Sequence, residues 1–72
     1  MSKTHMGAFA AAVSFLNSEA RDAIQNLAQD GRQAWRALEA IDRLRELGAP
    51  IEDEAELVGQ AREHLARASA AA

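Results

Sequence analysis

Residues 44–56 read LRELGAPIEDEAE, and this stretch decides how the chain is divided into helices. Gly48 and Pro50 follow a helical pattern of apolar residues, and a glycine with a proline close behind it is a common helix-stop signal. Pro50 also suits the first turn of a new helix, where its missing N–H costs nothing. The acidic residues that follow complement the positive end of that helix dipole. We therefore predict that one helix ends at Leu47 and that another occupies 51–69.

Upstream of this turn, apolar or small side chains recur every three or four residues from Phe9 to Leu44. Such a near-heptad stripe is typical of helices that pack along one side. The stripe keeps its phase through Asn17-Ser18 and Asp30-Gly31, which favours one long helix through Gly31. We predict an all-α, long–short antiparallel helical hairpin, with two hairpins assembled as a dimeric bundle. Its helices would be 6–47, or 18–47 if the first turns separate, and 51–69.

The pair Asp30-Gly31 supports an alternative fold. Asp-Gly is a common turn pair, and Asp30 with Gln33 three residues later fits the capping box at a helix start. A break there gives a three-helix bundle with helices near 6–29, 32–47 and 51–69. Either arrangement is all-α, the only class that the composition supports well, because good helix formers dominate and strand formers are scarce.

The 72 residues allow a single small helical domain. We expect residues 1–5 to be disordered or to be a leader encoded by a cloning site, and 70–72 to fray. No apolar run approaches the roughly 20 residues that a membrane-spanning helix needs. The chain has no cysteine, which excludes disulfides and thiol chemistry and suits a reducing compartment, so we expect a cytoplasmic protein.

The apolar composition predicts a thin core. Alanine accounts for a quarter of the chain and for about half of its hydrophobic residues. A lone hairpin of this size is marginal, and its short helix leaves the stripe from Phe9 to Leu27 uncovered. We therefore predict a homo-oligomer, with a dimer favoured, or docking on a larger protein. The predicted contact residues are Phe9, Val13, Leu16, Ile24, Leu27, Gly31, Ala34, Trp35 and Leu38.

Three of these contact residues have more than one interpretation. Gly31 is either a tolerated helix glycine or, with Ala34, a pair of small residues that admits a close helix or a partner's large side chain. Trp35 is either buried in the bundle or its homomeric interface, or contacts another protein, since tryptophan is enriched in both settings.

The sequence shows no recognisable catalytic or cofactor site. His5 and His64 lie at opposite ends, and no Glu precedes His64 at the three- or four-residue spacing of helical metal ligands. Arg32, Arg36 and Arg43 share a face that could contact phosphates. However, Glu39 and Glu46 lie on the same stripe, and the net charge of −3 argues against a nucleic-acid binder.

These observations predict a non-enzymatic protein–protein interaction module without metal or cofactor, such as a small subunit, adaptor or chaperone-like protein. The alternative is a small dimeric regulator that binds nucleic acid through the arginine face.

Overall fold

The computed structural model describes the backbone of residues 2–71 and the side chains of residues 7–70. Within that part of the chain there are three helices and no strand, so the all-α prediction is confirmed. Met1 and Ala72 lie outside the described residues, and a leader at 1–5 and a frayed tail at 70–72 stay predictions. The helices are α1, Ser2–Gln25, α2, Gln33–Glu46, and α3, Glu54–Ala71.

The prediction of a helix continuous through Gly31 is wrong, and the three-helix alternative describes the chain better. Helical backbone stops after Gln25 and resumes at Gln33. Beyond Gln25 the backbone bonds change to three-residue spacing, as from the Gln29 N–H to the Asn26 carbonyl at 3.0 Å. Asp30 then sets the start of α2, because its Oδ1 accepts a hydrogen bond from the Arg32 N–H at 2.9 Å and its carbonyl accepts one from the Gln33 N–H at 3.0 Å. These short-range bonds replace the four-residue hydrogen bonds of a continuous α-helix. At Asn17-Ser18, by contrast, α1 continues without interruption.

The turn between α2 and α3 ends α2 where the sequence predicts. Gly48 has φ +66°, its N–H donates to the Arg45 carbonyl, and the Ala49 N–H donates to the Leu44 carbonyl, both at 3.0 Å. This is the Schellman arrangement, which needs a left-handed residue after the helix. The predicted start of α3 at Ile51 is three residues too early, because Asp53 has φ 54°, outside helical backbone.

Consecutive helices run antiparallel around a small core. Ile41 and Leu44 of α2 are its largest fully buried side chains. Leu16 and Ile24 of α1 are partly buried and pack against the core, so the stripe is covered over much of the length that we expected to be open. The α1–α2 contact is the most extensive of the three helix pairs. Alanines fill much of the remaining core, all at most 5% exposed: Ala20, Ala23, Ala34, Ala37, Ala40 and Ala61.

The protein is elongated, with principal extents of 52 × 19 × 15 Å. Its radius of gyration is 13.8 Å, against about 11 Å expected for a compact chain of this length. The difference follows from the helix lengths, since α1 has 24 residues and α2 has 14, about 36 Å and 21 Å at 1.5 Å per residue. The N-terminal turns of α1 therefore extend past the end of α2.

Candidate protein–protein interface

The N-terminal half of α1 presents an apolar surface that we call the α1 tip, defined as residues 7–16. No residue from Met6 to Ser18 carries a formal charge. Phe9 is 46% exposed and Phe15 is 62% exposed. Large apolar side chains exposed close together mark interaction surfaces more often than isolated ones do.

The end of α2 shapes one side of the α1 tip. Leu47, which is 44% exposed, lies where α2 stops. Together with Ala12, Phe15 and Leu16 it lines an open groove whose rim carries Arg43 and Glu46. After Gly48 the chain passes beside Phe9 and Val13 instead, and no residue beyond Leu47 lines this groove.

The loop after α2 shapes the opposite side. Pro50 forms a second shallow groove with Phe9 and Val13. Asn17 holds the loop in place, because its Nδ2 donates to the Pro50 carbonyl at 3.3 Å and its Oδ1 accepts from the Glu52 N–H at 3.0 Å. The second groove therefore depends on the position of this loop, whereas no residue of the loop lines the first.

The predicted contact residues are divided between the surface and the interior. Leu16 and Ile24 pack against the core and Ala34 is completely buried. Phe9 is exposed, whereas Val13, Leu27 and Leu38 are half-buried.

The structure separates Gly31 from Ala34. Gly31 lies in the turn, where an added Cβ would meet nothing within 4 Å, while Ala34 is buried within its own chain. The predicted pairing of these two small residues is therefore wrong. Burial of Trp35 inside the single-chain bundle is also wrong, since this side chain is 59% exposed.

The sequence did not predict two of the exposed apolar residues, Phe15 in the α1 tip and Leu47 beside it. Phe15 and Leu47 lie off the periodic stripe, so a search for helical periodicity passes over them. The informative signal for Phe15 was the absence of charge on every face of α1 between Met6 and Ser18. Nothing comparable marks Leu47, whose exposure depends on where α2 ends against α1.

The predicted arginine face does not present three free cations. Arg36 binds Glu19 in a bidentate manner, through Nε–Oε2 at 2.9 Å and Nη2–Oε1 at 2.8 Å. Its Nη2 also lies 3.2 Å from Asp22 Oδ2. Arg32 and Arg43 are exposed and form no ion pair with the side chains described. Arg36 therefore joins α2 to α1 and is unavailable to phosphate in this arrangement.

The hydrogen bonds from Arg36 lower the pKa of Glu19 below its usual value; partial desolvation opposes this effect and Coulombic attraction adds to it. A carboxyl whose pKa is lowered on folding stabilises the fold above its unfolded-state pKa, and this contribution is lost as the pH falls through the folded-state value. Glu19→Gln is therefore expected to lower the melting temperature at pH 7. The difference from the parent should shrink in acid, as thermal denaturation followed by circular dichroism at several pH values would show.

Glu63→Gln is the matched control for Glu19→Gln. Glu63 pairs with Arg67 within α3, and both side chains are more than half exposed. Such surface pairs contribute little, so this variant should melt close to the parent at every pH. Equal effects of the two substitutions across the pH range would contradict a special role for the Glu19–Arg36 pair.

Two further observations concern the described part of the chain. It contains no group of three or more His, Cys, Asp or Glu side chains placed to hold a metal ion. None of its helices combines the length and apolar character needed to cross a bilayer.

Comparison with protein-family models, with curated proteins and with solved structures gives no significant match.

Proposed function

We propose that the protein is a non-enzymatic helical interaction module, such as a small subunit, adaptor or chaperone-like protein, that self-associates through the α1 tip. One observation carries the proposal: Phe9, Phe15 and Leu47 are exposed together around a helix segment that lacks charge. Burial of exposed aromatic and leucine side chains against a partner removes apolar surface from water, and this stabilises the complex. The absence of charge on the segment removes the cost of desolvating ions there.

The surface area supports a second copy as the partner. The accessible surface is 5126 Å², whereas a typical folded monomer of this mass exposes about 4,300 Å². The excess of about 800 Å² is close to the area that each partner buries in a standard interface. A two-fold dimer is the simplest closed assembly, because each copy uses the same surface.

The composition of the α1 tip favours a protein partner over a membrane surface. A helix that lies on a membrane carries lysines and arginines along its polar face. The α1 tip has no basic residue, and its only polar side chain is Ser14. The nucleic-acid alternative is less well supported, because Glu19 and Asp22 occupy Arg36.

Phe15→Asp is expected to convert a dimer to a monomer, because the new carboxylate would be buried without a partner. Loss of a central aromatic contact weakens association by about 30-fold or more. Sedimentation velocity over a concentration series measures the change. Circular dichroism should show unaltered helix content, since Phe15 lies outside the core. Phe15 is a better site than Ile24, which packs against the core.

Trp35→Ala is the matched control, because Trp35 is about as exposed as Phe15 but lies near the start of α2. This variant should sediment as the parent does. A parent protein that stays monomeric at high concentration, or a Phe15→Asp variant that remains dimeric, would contradict self-association through the α1 tip.

A further inference from the structure

A third groove lies between α2 and α3, away from the α1 tip. It has a volume of about 380 Å³. Trp35 and Leu38 of α2 and Val58 of α3 supply its apolar surface, with Ile41 beneath them. Trp35 is the only tryptophan of the chain and is 59% exposed. A half-buried leucine and valine beside an exposed tryptophan form a surface that a helix can fill.

The two edges of this groove carry opposite charges. Glu39 and Asp42 stand on the α2 edge, and Arg62 stands on the α3 edge. Neither Glu39 nor Arg62 forms an ion pair or side-chain hydrogen bond with another side chain that the structure describes. At one end Arg45 binds Glu54. Arg45 also lies 3.8 Å from Asp42, so the charges left without a partner are Glu39 on the α2 edge and Arg62 on the α3 edge.

We infer that this groove binds an amphipathic helix of another protein, with basic side chains along one edge and acidic side chains along the other. Its apolar residues would repeat at i, i+3 or i+4 and i+7, the spacing with which helices enter grooves. Trp35 would be the central contact, since tryptophan is enriched at such positions. The lining of the groove on α2 runs from Trp35 to Arg45, about 15 Å, which gives room for a helix of about three turns.

The charge pattern distinguishes this partner from the α1 tip of a second copy of the chain. The α1 tip carries no charge, so placing it in the groove would desolvate Glu39 and Arg62 without compensating either one. A helix with both signs of charge would place a basic side chain near Glu39 and an acidic side chain near Arg62 at the same time. The inference therefore goes beyond self-association and does not depend on it, and a dimer would present two such grooves.

A synthetic 18-residue helical peptide provides the test, with leucines on one face, lysines along one edge of that face and glutamates along the other. Titration of the protein with this peptide is followed by the fluorescence of Trp35, the sole tryptophan. We expect a saturable blue shift, because the peptide would remove the indole from water. We also expect the affinity to fall as the salt concentration rises, since exposed charges are screened.

A charge exchange makes the test specific. Glu39→Lys is expected to raise the dissociation constant of the lysine–glutamate peptide about tenfold. A second peptide, in which glutamates replace the lysines, should recover the loss in the variant while binding the parent weakly. Glu39 is exposed, so the substitution should leave the helix content of the protein intact, and circular dichroism checks that it does.

Phe15→Asp serves as the control in this titration and should bind the peptide as the parent does, because Phe15 does not line the groove. The inference is overturned by the absence of a saturable shift, or by equal affinities of the parent and Glu39→Lys for the first peptide. Sedimentation measures self-association separately, so either proposal can fail without the other.

Discussion

Replacing Leu44 with alanine is expected to remove most of the free energy of unfolding. Leu44 is, with Ile41, one of the two largest fully buried side chains. A buried Leu→Ala change costs about 2–5 kcal/mol, because it loses transfer free energy and leaves a cavity. The core of a domain this small supplies only about 3–5 kcal/mol of net stability. Urea denaturation followed by circular dichroism should therefore show a large fall in the midpoint.

Leu47→Ala is the matched control, three residues further along the chain. Its side chain is 44% exposed and lies outside the core, so the same chemical change should cost less than about 1 kcal/mol. If Leu44→Ala unfolded at nearly the same urea concentration as Leu47→Ala, the core described above would be wrong. Both variants should be compared at a protein concentration low enough to keep the chain monomeric, because Leu47 lies at the proposed self-association surface and weaker association would itself lower the apparent stability.

Asn17→Ala is expected to cost about 2–3 kcal/mol, although Asn17 is polar and sits on an apolar helix. Its side chain is 4% exposed and bonds both ends of the Pro50–Glu52 loop to α1. Its Nδ2 also donates to the Val13 carbonyl at 3.1 Å. Removing a partner from a buried hydrogen-bonding group costs about 1–3 kcal/mol, and here the loop loses two such bonds. Thermal and urea denaturation measure the loss.

Asn26→Ala separates the loop contacts from the local one. Asn26 donates to the carbonyl of Asp22 four residues earlier, at 2.8 Å, just as Asn17 donates to that of Val13. Asn26 lies just after the C-terminal end of α1, its side-chain hydrogen bond is exposed, and it forms no hydrogen bond with the α2–α3 loop. We expect its substitution to cost less than about 1 kcal/mol. Equal losses for the two asparagines would show that the loop bonds of Asn17 contribute nothing.

The fold features that the sequence predicts correctly are set by local chemistry. Gly48 ends α2 because the Schellman turn requires a left-handed residue, and this requirement is visible in the sequence alone. The all-α class follows from the propensities of the dominant residues. The start of α3 was predicted less well. Asp53 adopts a left-handed backbone conformation, and the neighbouring sequence does not predict this conformation.

The break at Asp30-Gly31 shows why periodicity alone misjudged α1. In an antiparallel pair of helices, both members turn their apolar residues toward the same core. A stripe can therefore keep its spacing across a turn as well as along a continuous helix. The hydrogen bonds of Asp30 are those of a turn and not of a continuous helix. In the sequence, the only sign of this turn is that Asp-Gly is a common turn pair.

The candidate interface was predictable only in part, because the exposure of its residues depends on which helices lie against each other in the folded chain. The stripe predicted an exposed Phe9, and this side chain is 46% exposed beside the loop at Pro50. It also left Ile24 uncovered, because the predicted return helix was too short to reach that residue. Once the chain reverses at Asp30-Gly31, α2 lies against the second half of α1 and Ile24 packs against the core. The exposure of Leu47 likewise depends on where α2 ends along α1.

The alanine-rich contact between α1 and α2 has a consequence for the kinetics of folding. Alanine loses no rotamer freedom when it is buried, so these two helices associate at little side-chain entropic cost. They are also neighbours in sequence, and contacts between neighbours form quickly because the loops that they close are short. The α2–α3 loop has the same length as the α1–α2 loop, so it is the larger contact area of α1 and α2 that favours this pair. Folding should begin with the α1–α2 pair, and α3 should dock last.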